Sequence, residues 1–327
     1  MALPASTYDT ATLTNPSSSL TDFTLIIDLS RMSAAWWSAV DTADGTKGRA
    51  AKDSGPTELA CDWIDFDSVN ETGLLRVKWS GTLSNTGTQT LRIYPPQAAN
   101  ASVSVSDTYG RNNAYGSTVL AYWPMNDTTD RTGNGYTLAD FGSVNLGGGS
   151  SRIGGVASAD FTGLGDYCIA SIATSSSQEL CFLCWLYPDA SVTSAVRAFH
   201  HARPTASNNQ YAATCSNNNN IVARTYDGSN IGQSGFGTGP TASTWQHVIG
   251  YHNQTSERKA YKDGTLAGTA NTTSLTWAGD EVWLGASNNN IWQYEGDMSD
   301  AMILEDSDAR ALYEYEQSSD QATFWGT

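Results

Sequence analysis

The chain has 327 residues and a formal charge of −16, from 33 Asp and Glu against 17 Lys and Arg. That surface repels phosphates and excludes a nucleic-acid partner. No apolar run reaches the roughly 18 residues of a spanning helix, which excludes helical membrane insertion.

The start, MALPASTYDTATLTNPSSS, has neither a basic n-region nor an apolar h-region, so it is not read as a secretory signal. Strand-like runs then recur at short intervals: 20-LTDFTLIIDLS-30, 74-LLRVKWSG-81 and 90-TLRIYPP-96. A short helix is predicted over 33-SAAWWSAV-40, and its Trp36 and Trp37 are expected to pack two domains together. A polar, Gly/Asn-rich segment, DTYGRNNAYGST, marks a boundary, dividing the chain into 1–116 and 117–327. The Gly-rich 142–155 stretch lacks Lys and opens no helix, so it is no phosphate cradle. Further strands are predicted at 179-ELCFLCWLYP-188, 220-NIVARTYDG-228, 245-WQHVIGYHN-253, 280-DEVWLGAS-287 and 298-MSDAMILE-305. A closing helix, 305-EDSDARALYEYEQ-317, has a cap at Asp306 or Ser307 and an acid, Asp308, in its first turn. Short strands separated by Gly, Asn, Asp and Ser indicate an all-β protein of two β-sandwich domains.

Five cysteines at irregular spacing argue against a disulfide framework and for assembly in a reducing cytosol. Cys181 and Cys184 are three apart on one strand, so they face opposite ways and read as buried thiols, not a zinc pair. In 245–253, Trp245, His247, Ile249 and Tyr251 alternate onto one face, and Asp263-Gly264 follows as a type I′ turn pair. His247 is expected to be a hydrogen-bonded histidine of the sheet rather than a base, because no Ser or Cys nucleophile sits in an elbow.

The order of AYWPMNDTTDRTGNGYTL, ASADFTGLGDYCIAS, ELCFLCWLYP, TWQHVIGYHNQTSERKAYKDGTLAG, VWLGAS and GDMSDAMIL resembles the concanavalin A-like jelly roll of the laminin-G/pentraxin type, over residues 117–327. Residues 1–116 resemble, through LTDFTLIIDLS, LLRVKWSGTL, LRIYPP and DTYGRNNAY, a module of unknown function that often precedes such jelly rolls. Tyr-Pro-Pro stands where that module has Tyr-Tyr-Gly. The pairing implies a bacteriophage virion protein, assembled in the host cytoplasm.

Candidate chemistry is sparse. Glu295 and Asp297 in 295-EGDMSD-300 echo the carboxylates of jelly-roll glycosidases, but the last carboxylate is Asp300 and the spacers are Gly and Met, so the stretch reads as the closing strand. Asp127, Asp130 and Asn134, with Asp300, form either a structural Ca²⁺ site or a turn capping its own backbone; the resemblance carries ligands onto Asp130 and Asn134. Tyr226, Trp277, Trp292 and Tyr294 flank Asn-rich segments and form either a carbohydrate platform or core. The reading is a non-enzymatic virion structural protein, a head decoration, fibre or tail component. Its expected partners are capsid or tail proteins, further copies of itself and host surface glycans. The other class is a carbohydrate-binding module or polysaccharide-degrading enzyme of a marine bacterium.

Overall fold

A computed structural model describes the chain except residues 1–2, 4–6, 14–18, 55–56, 164, 176, 191–195, 203–210, 217–219, 235–238, 254–256, 288–292 and 327. All eight strands expected from the sequence are present, and the protein is all-β with few helices.

The first sandwich packs a three-stranded sheet on a five-stranded one. In the smaller, Leu20–Asp28 and Cys61–Asp67 flank Thr72–Leu83, with Leu25 and Cys61 both opposite Val77. The larger sheet runs Trp325–Gly326, Asp9–Leu13, Gln89–Tyr94, Arg49–Lys52, Glu58–Leu59. Phe23, Leu25 and Ile27 enter the core between them, against Leu75, Val77, Leu91 and Ile93. Ile26 points the other way, into a second core. Both faces of the strand are buried, which is why LTDFTLIID reads as one apolar run rather than an alternation. Ser33 caps helix Ala34–Ser38, accepting from the Trp36 amide. Trp36 and Trp37 do not join the domains. They fill the first sandwich's own core, where the Trp36 indole donates to the Ile93 carbonyl at 2.8 Å and stacks on Trp63.

The second sandwich has two larger sheets. One, here the covered sheet, runs Ala159–Phe161, Gly296–Leu304, Glu179–Pro188, Gln246–Asn253, Glu257–Lys262, Thr265–Leu266, with Val119–Trp123 also paired to Gly296–Leu304. The other, the open sheet, runs Ile231–Gln233, Ile221–Tyr226, Tyr211–Ser216, Val196–Ala202, Ala278–Leu284, Tyr167–Ser175, Ala139–Phe141. Trp123, Phe161, Phe182 and Trp277 pack between them. Cys184 lies in this core and Cys181 in the one on the opposite side, as their spacing requires. Gly250 lets the two sheets approach closely, since a Cβ there would sit 1.9 Å from Thr214 Oγ1. Asp263 and Gly264 both have positive φ, the type I′ geometry their sequence implies.

The covered sheet's outer face is buried too. Leu183, Ile249, Tyr251, Met302 and Leu304 pack there with Ile26, Ile64 and Leu74 of the three-stranded sheet and Ala311 of helix Asp308–Ser319. Leu20–Asp28 is an edge strand, and two glutamines cap that edge, one from this helix and one from the short helix Gln321–Phe324 after it. Gln317 accepts from the Ile26 amide and donates to Thr24 O; Gln321 accepts from the Asp28 amide and donates to Ile26 O. These side chains satisfy backbone groups that an exposed edge would leave open. Tyr313, Phe324 and Trp325 then enter the first sandwich's core, and Trp325–Gly326 pairs with Asp9–Leu13. The last segment, grouped with 117–327 in the sequence reading, thus completes the first sandwich.

Candidate functional site

The junction between the sandwiches holds a dense polar cluster, and a β-bulge creates it. Leu183 pairs with Met302 but Trp185 pairs with Ser299, so Cys184 alone faces Asp300 and Ala301. Asp300 takes φ +51 there. Without the bulge, strand alternation would aim its carboxylate into the apolar core beside Met298. With it, Asp300 turns toward the junction. It accepts from the Tyr122 hydroxyl (2.6 Å), from Ser299 Oγ (3.0 Å) and from Arg152 (2.6 Å), and Arg76 lies 3.5 Å away. Arg76 also reaches Glu314 of the last long helix at 3.3 Å and lies over the Tyr122 ring. Burial alone would raise the Asp300 pKa, but Arg152 and Arg76 hold it down at about 2. For Glu314, burial outweighs the same Arg76, and its pKa is raised.

The expected metal ligands separate. Asp130 is buried and its oxygens accept from the backbone amides of Tyr122, Thr132 and Tyr136 and from the Thr132 hydroxyl. Asp127 caps Thr129 N and lies 3.6 Å from Arg131, and Asn134 donates to Leu120 O. Tyr122 bonds Asp130 through its amide and Asp300 through its hydroxyl, so the two carboxylates lie at opposite ends of one residue. Asp127 and Asp130 thus cap the backbone of their own loop. Among the described residues no three His, Cys, Asp or Glu side chains gather as metal ligands.

The closing strand keeps Asp297 inside, where it accepts from the Ser150 amide of the Gly-rich loop, while Glu295 is exposed. Asp297 stands directly opposite Asp160 on the neighbouring strand. Burial, then the charges of Asp297, Asp189 and Asp166, raise the Asp160 pKa. Like charges opposed across strands cost up to about 1 kcal/mol. Asp160→Asn is therefore expected to raise the melting temperature at pH 7. A raised folded pKa means the charged form opposes folding, so the gain should vanish below about pH 4, where Asp160 is protonated in both states. Thermal melts of the two proteins at pH 7 and below pH 4 check this.

His247 is buried between the rings of Trp185 and Tyr315, and burial lowers its pKa to about 3, so it is a neutral ring. Its Nδ1 is buried without a hydrogen bond, so on that side the ring is held by packing and not by the bond expected of it. Trp245 sits half-buried against Tyr187.

The aromatic candidates also divide. Trp277 and Tyr294 are 1% exposed in the core between the sheets, and a ring without free surface cannot stack on a sugar. Trp292 lies outside the described residues. Tyr226 is half-buried on the outer side of the open sheet, because Ile221, Ala223 and Thr225 of its strand face inward. The same side carries rings the sequence reading missed. Phe141 stacks on Tyr167 across adjacent strands, and Tyr167 on Trp283, each at 4.9 Å between centroids. Arg224 and Glu281 share this side by alternation, and the Trp283 indole donates to Glu281. At this spacing the stacked rings cover one another. Trp283 is 8% exposed, but Phe141, on the edge strand, is 43% exposed. The signal was available: Val282 and Leu284 are core, so Trp283 between them must face out.

Residues 161–307 match the model of the concanavalin A-like lectin/glucanases superfamily. This stretch is a concanavalin A-like jelly-roll domain. Among solved structures, the chain is similar to the binding domain of Paraclostridial mosquitocidal protein 1, at 13% identity and TM-score 0.46 over 60% of this chain and 52% of that one. It is similar to the botulinum neurotoxin serotype D/C binding domain, at 11% and 0.48 over 62% and 52%. It is also similar to domain 4 of AbnA, a GH43 arabinanase from Geobacillus stearothermophilus in complex with arabinotriose, at 17% and 0.45 over 60% and 98%. The chain spans about half the length of the two toxin domains. No curated protein matches the chain. Within the jelly roll, then, one sheet faces the first sandwich and the other is the open sheet.

Proposed function

We propose that the protein is a non-enzymatic structural component of a bacteriophage particle whose jelly roll contacts host surface glycans through the outer side of its open sheet. One observation supports the glycan contact most directly: the covered sheet is occupied on both faces, while the open sheet ends in a stacked aromatic row with Phe141 exposed at its edge. A pyranose stacks on such a ring. The placement in a virion rests on the succession of the two modules in the sequence. The non-enzymatic reading is supported by Asp297 being tied to the Gly-rich loop while Glu295 points away in solvent.

A glycan array read with the wild type and with Phe141→Ala tests the contact. The variant should keep its melting temperature and bind roughly fivefold more weakly, the loss of about 1 kcal/mol of ring stacking. Binding to no glycan, or equal binding by both proteins, would sink the assignment. Antibody labelling of purified particles tests the virion placement. Reducing-sugar release from laminarin, agar or alginate that is lost in Asp297→Asn would show an enzyme instead.

A further inference from the structure

A cavity of about 110 Å³ lies where the first sandwich, the 103–111 segment and Arg131 of the 126–134 loop meet. Arg49, Arg111 and Arg131 line it, with Asp62 as the one acidic side chain in its described wall and Trp63 and Tyr109 as its rings. Three of the chain's 17 Lys and Arg residues thus meet around one small cavity.

The arginines are not equally satisfied. Arg49 pairs with Glu58 at 3.1 Å and donates to the carbonyls of Thr46, Gly48 and Ala101. Arg131 stands 3.6 Å from both Asp62 and Asp127, yet its Nε is buried with no hydrogen bond. Asp62 is itself engaged, accepting from the Tyr115 hydroxyl at 2.6 Å. Arg111, on the short helix Arg111–Asn113, likewise has a buried Nε without a hydrogen bond. Arg111 and Arg131 thus both line the cavity, each with a buried Nε that no protein acceptor answers, an arrangement that is costly.

We propose that this cavity binds a small organic carboxylate, its two oxygens shared between Arg111 and Arg131 and its carbon skeleton lying against Trp63. A forked carboxylate matches the planar donors of a guanidinium better than a neutral hydroxyl does. The indole favours an acid with an apolar flank over a bare inorganic ion. The volume is below the roughly 150 Å³ that takes benzene, so the ligand is a small acid or the carboxylate end of a larger one such as a uronate. The site lies in the first sandwich's junction, apart from the open sheet, and stands or falls separately from the glycan contact.

The test is thermal shift and calorimetry on the full chain with L-lactate and D-glucuronate, with D-glucose and inorganic phosphate as controls at equal ionic strength. Either carboxylate should raise the melting temperature of the wild type, and glucose should not. Arg111→Gln should bind at least tenfold more weakly. Arg111→Lys, which keeps charge but not the fork, should fall between. The proposal is overturned if neither carboxylate shifts the wild type, if phosphate or glucose shifts it as much, or if Arg111→Gln binds as well as the wild type. Should Arg111→Gln not fold, the comparison of Arg111→Lys with the wild type decides.

Discussion

Replacing Arg76 with Ala should lower the unfolding free energy by about 3–5 kcal/mol at pH 7, measured by urea denaturation. Arg76 is 2% exposed, faces Glu314 and is one of two cations facing Asp300. Its removal leaves buried carboxylate charge uncompensated, which is the costly way to break a buried pair. The sign of the pH dependence separates this from simple loss of packing. Glu314 is already raised by burial, and without Arg76 it should rise further. A raised folded pKa makes the charged form the penalised one, so the deficit should shrink from pH 7 to pH 5 as Glu314 takes up a proton. Asp300 behaves oppositely. Held at about 2 in the fold, below its ordinary value of 3.8, it contributes stability above pH 4 that is lost as pH falls toward 2. A loss under about 1 kcal/mol would mean that the network adds little to stability, and a larger loss equal at both pH values would point to lost packing instead.

Trp277→Ala should cost about 3–5 kcal/mol, because the indole is buried among side chains that cannot collapse into its space. The result matters for function because the same residue was a carbohydrate candidate in the sequence. If it is core, the variant loses melting temperature and the fraction still folded binds glycans unchanged. Phe141→Ala should show the reverse pattern. A Trp277→Ala protein with normal stability would contradict the buried placement.

The parts of the fold legible in the sequence were those set by local pattern. Glu179–Pro188 was readable as a strand because its residues are apolar or nearly so, buried on both sides. The Asp263-Gly264 turn was readable because its backbone suits those two residues. The short strand Ala139–Phe141 was not, since three exposed residues carry no period. Cys61–Asp67 was missed because three acids interrupt it, and one of them, Asp62, is buried only through Tyr115 and Arg131, far away in sequence. Trp277 misled for a related reason: the residues from Asn271 to Ser274 are exposed or half-exposed and gave it a loop's surroundings. Asp300 depended on a bulge, a one-residue insertion that has no residue signature of its own here. Arg76 and Glu314 meet across 238 positions, which no local pattern records.

The return of Trp325–Gly326 to pair with Asp9–Leu13 sets an order on how the molecule is made. During synthesis the jelly-roll strands emerge complete before residue 325 leaves the ribosome, whereas the sandwich translated first still lacks its edge strand, its glutamine braces and two aromatic plugs. The opening module therefore stays partly unzipped until residues 317–326 have been made. A nascent chain stalled at residue 300 should be cut by protease in its first hundred residues more readily than a released one.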